Sequence, residues 1–403
     1  MTTIPEAGGH VGAAVNRPSG RWRPWATLAG LIGLAVLELL TVWCVMPLPY
    51  SQQMRSLPLA YALFRWRWPL RVLVLCVAAS GIAPLWRAGG WRRWSIPVGA
   101  LGAAAVVLTT TMTMAADRIF RAPERLTMAA LTDNRVAMNR LVLGITLHGE
   151  ARAYPVQFIG YHHQVRDTVG GTPVLITFCT VCRTGRVYSP VVDGRVERFR
   201  LVGMDHFNAM LEDASTGSWW RQATGEAVAG PRTGTVLEEI PSQQMTLATW
   251  VDLHPTTRVM QADATLRDRY DTGFDYETGT SRSALTGTDT ASWHDKSWVV
   301  GVTVGGTSKA YDWNRLRRER AINDVVGGTP LVIVLARDGA SFFAFERPAA
   351  QGLITMRGDS LVAGTAAWSL GGRGASGALT PIRVVQEFWH SWRTFQPGTL
   401  RDR

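Results

Sequence analysis

The chain has 403 residues, of which 46% are apolar and 18% charged, and a formal net charge of +11; this length and balance suit a core-forming protein of two or three domains. The charge is uneven: ten arginines, no lysine and only two acids, Glu6 and Glu38, precede Asp117, which places +8 of the +11 there. The remainder is nearly neutral and carries no basic stripe, so composition excludes nucleic-acid binding.

The early arginines sit beside tryptophans at the edges of apolar runs, in RWRPW, RWRWP and WRAGGWRRW. Trp rings favour the headgroup layer and arginine heads reach out from span ends, so the lipid bilayer is the expected partner. The runs from Trp25 to Leu48, Leu70 to Trp86 and Trp94 to Ala116 are each close to the roughly 20 residues that cross a hydrocarbon core. They predict a three-span α-helical anchor over 1–116, with two spans as the alternative; a cleaved signal peptide would not be followed by two more apolar runs. Arginines 17, 21, 23, 87, 92 and 93 in the N-terminus and second loop outnumber 55, 65, 67 and 71, counted with the first loop, while Arg118, Arg121 and Arg125 beyond the third span pull the other way. The count favours an inside N-terminus and an extracytoplasmic C-terminal domain of a multi-pass membrane protein. Glu38 lies inside a span, where a carboxyl is a functional candidate by default and a protonated or helix-packed group is the bland reading. Cys44 and Cys76, also within spans, read as small hydrophobes.

After a linker over 117–134 the sequence repeats itself: LVLGITLHGEARAY (141–154) returns as WVVGVTVGGTSKAY (298–311), and without a gap 12 of the 32 positions from Val142 to Pro173 are identical at an offset of 157. TWVDLHPTTR from Thr249 resembles SWRTFQPGTL from Ser391. The expectation is a tandem duplication: a first repeat over 135–262, a polar connection over 263–292 and a second, degenerate repeat over 293–403. Within each, β-branched runs bounded by glycine turns predict strands. FIGYHHQV reads as a short helix, VVDGRV as a tight hairpin, and SQQMTLATWVDLHP as one helix stopped by proline. The fold class is therefore α+β or mainly antiparallel β, present twice and packed as a pseudo-symmetric pair.

The repeats differ where chemistry is expected. Opposite Cys179, Cys182, His162 and His163 stand Ala336, Gly339, Glu319 and Arg320, which points to the first repeat as the active one. A C-x-x-C pair brings two sulfurs within reach of one metal ion or of each other. With His162, His163 and His206 as nitrogen ligands and Met204 as a thioether, the expected cation is copper or zinc. A redox-active or nucleophilic cysteine and a plain structural disulfide are the other two readings. The glycine and β-branched residues of RTGRVYSPVVDG argue against the helix that a thioredoxin fold would place there. No nucleotide cofactor is expected, since no Walker loop or dinucleotide fingerprint is present. His148, His254, His294 and His390 read as structural. STGSWWRQATGEAVAGPRTG, with Trp219, Trp220, Arg221, Gly225 and Glu226, either lines a binding pocket or caps the sheet.

GEARAYP (149–155), YHHQVRDTVGG (161–171), CTVC (179–182), SWWRQATGEAVAGPRTG (218–234) and TWVDLHPTTRV (249–259) occur in that order. Together they resemble the bacterial and archaeal domain of unknown function 3179. The resemblance places the family's histidine on His162 and its cysteines on Cys179 and Cys182. Its members are often secreted or membrane-anchored, which agrees with an outside domain. Thr180-Val181 replaces the family's usual Pro-Leu, and His163 stands where glutamate is expected. The resulting expectation is a membrane-anchored extracytoplasmic protein with a Cys/His metal or redox site, an oxidoreductase or metal-handling protein. The alternative is a non-catalytic envelope module in which C-x-x-C is a disulfide staple. Neither substrate nor protein partner is legible.

Overall fold

The structure, a computed structural model, describes residues 23–53, 56–87, 89–348 and 351–402. Glu6, Arg17, Arg21 and Arg55, used above in the charge argument, lie outside the described residues. The chain forms two compact units: one comprises residues through Leu40 with Leu63–Thr111, the other Thr41–Ala62 with Met112–Arg403.

Three helical segments are long and apolar enough to cross a membrane, Trp25–Val45, Leu57–Arg87 and Gly90–Thr113, with mean hydropathies of 2.2, 1.7 and 1.6. The second is longer than the apolar run Leu70 to Trp86. Its 31 residues span about 46 Å at 1.5 Å per residue, more than the roughly 30 Å of hydrocarbon. Hydropathy reads only the membrane-embedded part of such a helix, so Arg65, Arg67 and Arg71, taken above as loop residues, are helical. Trp66 and Trp68 beside them are exposed, as an interfacial belt requires. Arg71 explains the carboxyl within the first span: its Nε and Nη2 donate to Glu38 Oε1 and Oε2 at 2.6 and 2.7 Å. A paired carboxylate and guanidinium avoid the cost of an isolated charge in lipid.

The second unit is β-rich and mostly antiparallel. Leu141–Leu147 turns at His148-Gly149, both with positive φ (47° and 82°), into Glu150–Pro155, the two-residue geometry that matches strand twist. The helix Val156–His162 follows, then a three-stranded sheet of Gln164–Val169, Thr172–Cys179 and Thr184–Tyr188. Phe199–Asp205, Asn208–Asp213, Trp219–Arg221 and Ala227–Ala229 form a four-stranded sheet. The chain then returns to pair Gln243–Thr246 with Leu141–Gly144. SQQMTLATWVDLHP is thus not one helix: its first part is this strand, and the helix Leu247–Leu253 starts after Thr246, whose side chain accepts from Thr249 N. A buried sheet edge needing partners overrides the helical pattern there.

Residues 298–401 run through elements in the same order. Trp298–Val304 and Thr307–Asp312 precede the helix Trp313–Glu319; Ala321–Val326, Thr329–Leu335 and Phe342–Glu346 follow; Val384–Phe388 returns to the first strand before the helix Trp389–Phe395. Contacts correspond too. Tyr154 donates to Asp167 at 2.7 Å as Tyr311 does to Asp324 at 2.7 Å, and a Cβ on Gly144 would strike the Trp250 ring as one on Gly301 would strike Trp392. The halves are not independent cores: one apolar cluster joins Tyr154, Ile176 and Trp250 to Val332, Phe345 and Trp368.

Candidate dithiol site

The strand Thr172–Cys179 ends in the turn Cys179–Cys182, and the chain reverses through Arg183 (φ 56°) into Thr184–Tyr188. Both cysteines are fully buried and neither is in a disulfide. Both approach one oxygen: Phe207 O lies 3.5 Å from Cys179 Sγ and 3.2 Å from Cys182 Sγ.

The turn is held from outside by its carbonyls. Tyr276 Oη donates to Thr180 O at 3.1 Å, Lys296 Nζ to Val181 O at 2.7 Å, His390 Nε2 to Val181 O at 3.1 Å, and Phe388 N to Cys182 O at 2.9 Å. The amides meanwhile serve the sulfur, since Cys179 is the acceptor for backbone N–H groups of Cys182, Ala209 and Val181. Burial pushes both thiols up. For Cys179 this is outweighed by the Cys182 thiol and those amides, and its pKa is lowered. Cys182 is raised well above the ordinary thiol value by burial and by Cys179, despite hydrogen bonds with Ser391 and Asn208. The pair is asymmetric, with Cys179 the group poised to ionise.

A buried polar network surrounds the sulfurs. Asn208 Nδ2 donates to Gln222 Oε1 at 2.9 Å, and Gln222 Nε2 donates to Thr177 Oγ1 at 3.0 Å and Thr184 O at 2.9 Å. Ser391 Oγ donates to Glu387 Oε2 at 2.7 Å, and Glu387 Oε1 accepts from Arg186 Nη2. Lys296, one of the chain's two lysines, also donates to Leu285 O at 2.6 Å and lies 3.5 Å from His390 Nε2. Burial first, then the Lys296 charge, pushes His390 down to about 4. Lys296, Glu387, His390 and Ser391 come from the second half, which therefore supplies side chains to the site.

The histidines read above as ligands go elsewhere. His162 Nδ1 lies 2.5 Å from Arg121 O, an acceptor only, so Nδ1 carries the proton and Nε2 accepts from Tyr270 Oη at 2.8 Å. His163 caps the helix in the left-handed region (φ 59°), with Nδ1 3.2 Å from Tyr161 O and a buried, unpartnered Nε2; burial pushes it down to about 4. His206 Nδ1 bonds Asp205 Oδ1 at 2.7 Å. Met204 packs in the apolar cluster around the cysteines. Among the described residues, no group of three or more His, Cys, Asp or Glu side chains is arranged to hold a metal ion.

Trp219 and Trp220 are wholly buried, their indole N–H groups donating to Glu212 Oε2 at 3.0 Å and Asp213 Oδ2 at 2.8 Å. They present no exposed aromatic face. Arg221 Nε donates to Asp205 Oδ2 at 2.7 Å and its Nη1 lies 3.8 Å from Glu226 Oε2. Gly225 (φ 69°) packs so tightly under Tyr188 that a Cβ would meet its ring. The residue of SWWRQATGEA that enters the network around the sulfurs is Gln222, quoted above as part of a motif but not singled out. Asn208, Phe207, Lys296, His390 and Ser391 had no distinguishing local signal.

Three membrane-length helices followed by a mostly antiparallel β domain with a buried dithiol define the class: a β-rich protein with a membrane-compatible helical N-terminal region. The chain belongs to the family described as Protein of unknown function (DUF3179), whose model matches residues 123–399. No curated protein and no solved structure matches the chain.

Proposed function

We propose that the protein is a membrane-anchored, extracytoplasmic thiol–disulfide oxidoreductase centred on Cys179 and Cys182. The observation that carries this reading is geometric: two buried free thiols of one C-x-x-C turn converge on a single carbonyl oxygen, with Cys179 Sγ 3.5 Å and Cys182 Sγ 3.2 Å from Phe207 O. In keeping with unequal roles, the pKa of Cys179 is lowered and that of Cys182 raised. In the forward direction the Cys179 thiolate attacks one sulfur of a substrate disulfide; the substrate S–S bond breaks and its second sulfur leaves as a thiolate. Cys182 then loses its proton and attacks Cys179 Sγ, closing the 179–182 disulfide and expelling the other substrate thiolate. Two electrons pass to the substrate, whose two sulfurs take up two protons. We further infer that the two halves arose by tandem duplication, with the cysteines retained in the first only.

A second reading makes the pair a two-sulfur site for a soft cation such as copper(I). The two converging sulfurs favour it, and a four-coordinate zinc site would need two more ligands. The test is trapping. With Cys182→Ser, a small disulfide leaves a stable mixed disulfide on Cys179, and with Cys179→Ser the remaining thiol reacts far more slowly. Near one equivalent of copper in the purified parent, lost in the double variant, decides for the cation. No metal in the parent or the variant, with a 179–182 disulfide that small thiols and disulfides leave unchanged and only stability lost on its removal, decides for the structural staple.

A further inference from the structure

Phe207 and Gln52 join the dithiol to the connection between the first two membrane-length helices. The strands Phe199–Asp205 and Asn208–Asp213 are linked by two residues, His206 and Phe207, both in the left-handed region with φ of 51° and 64°. Such a turn favours Asn-Gly; a bulky side chain there costs about 1–2 kcal/mol per residue, so contacts must hold the turn. The structure provides them on both sides of the Phe207 Cα. The carbonyl of Phe207 accepts from the Cys182 thiol at 3.2 Å and lies 3.5 Å from Cys179 Sγ. Its N–H donates to Gln52 Oε1 at 3.2 Å. Gln52 is buried and fixed in turn, with Nε2 donating to Met46 O at 3.3 Å, while Ser51 Oγ donates to the same oxygen at 2.6 Å. Val45 abuts Gly203 so closely that no side chain fits there, Met46 packs on the cysteine cluster, and the Phe207 ring meets His390 edge-on at 5.9 Å.

We propose that this arrangement is a redox-responsive latch: Gln52 and the two thiols together hold the His206–Phe207 turn closed over the sulfurs, and oxidation of the thiols releases it. This rests on the dithiol reading above. Closing the 179–182 disulfide removes both S–H hydrogens, the two electrons and two protons passing to the substrate disulfide. Phe207 O, a part-buried carbonyl, then has no thiol donor and loses the worth of that hydrogen bond. The turn, already in a conformation its residues disfavour, relaxes; its N–H leaves Gln52, and Met46–Gln53 loosens. The connection that leaves the first apolar helix thus reports the oxidation state of the site and governs access to it.

The test is hydrogen exchange and alkylation on the full-length protein in detergent. Oxidation by a small disulfide, with the 179–182 bond verified by mass, is expected to speed amide exchange in segments 46–53 and 204–209. In the reduced protein, Gln52→Ala is expected to raise iodoacetamide labelling of the two cysteines about fivefold, the factor one net hydrogen bond is worth. Gln52→Glu keeps the acceptor for Phe207 N but loses the donor to Met46 O, and is expected to label between the parent and Gln52→Ala. Unchanged exchange on verified oxidation overturns the latch and leaves the dithiol reading intact, as does parental labelling in Gln52→Ala. Failure of any disulfide to form overturns both.

Discussion

The side-chain amide of Asn208 donates to Gln222 Oε1 at 2.9 Å, and through Gln222 it reaches both strands that flank the C-x-x-C turn, at Thr177 Oγ1 and Thr184 O. All four residues are fully buried. Gln222→Ala leaves an Asn208 donor and the Thr184 carbonyl without partners, and the expected loss is about 3 kcal/mol. Thermal unfolding of the detergent-solubilised protein checks it; a Tm within a degree of the parent would show that the network is dispensable.

Arg186 and Glu387 pair across the two halves in a buried setting. Removing Glu387 leaves Arg186 with only the longer ion pair to Glu239 at 3.5 Å, so Glu387→Met should cost about 3 kcal/mol. The Arg186→Met/Glu387→Met double variant should lose much less than the two single losses added. Denaturant midpoints of the four proteins form the double-mutant cycle.

Gly144 and Gly301 make the same demand at corresponding places, because the Trp250 and Trp392 rings occupy the space of a Cβ. Gly144→Ala and Gly301→Ala are each expected to destabilise by about 1–3 kcal/mol through overpacking. Trp250→Phe should relieve the first and leave the second unchanged. Thermal melts of the single and paired variants read this out.

How far the sequence reached depends on the distance over which each residue acts. Spans, hairpins at His148-Gly149 and Asp193-Gly194, and the short helix Val156–His162 were legible because hydropathy period and turn residues encode them locally. The two cysteines were legible by spacing. Their neighbours were not, because Lys296 and His390 reach Val181 O from more than 100 residues away, and nothing local marks them apart from other polar residues on strand or helix ends. His162 was read as a ligand for want of Tyr270, whose hydroxyl takes up its second nitrogen. Arg71, at the start of the run from Leu70, was counted with the loop arginines because its partner Glu38 lies on another helix and cannot be seen locally.

Acid should destabilise the fold through buried histidines. His163 and His390 are held neutral mainly by burial, each pushed down from an ordinary 6.5 to about 4. The unfolded chain therefore binds more protons between those values, so the contribution is full above pH 6.5 and is lost as pH falls toward 4. The loss is on the order of 3 kcal/mol per histidine. His163→Gln should flatten this part of the pH–stability profile; an unchanged slope from pH 6.5 to 4 would contradict the assignment.

The central claim is that Cys179 and Cys182 interconvert as one two-electron couple. The direct measurement is to equilibrate the full-length protein in a series of thiol–disulfide buffers, quench, and quantify the 179–182 disulfide by mass. The account predicts one transition in which the ratio of oxidised to reduced protein changes tenfold per about 30 mV, as two electrons require. Two thiols that stay reduced across the whole range would contradict it.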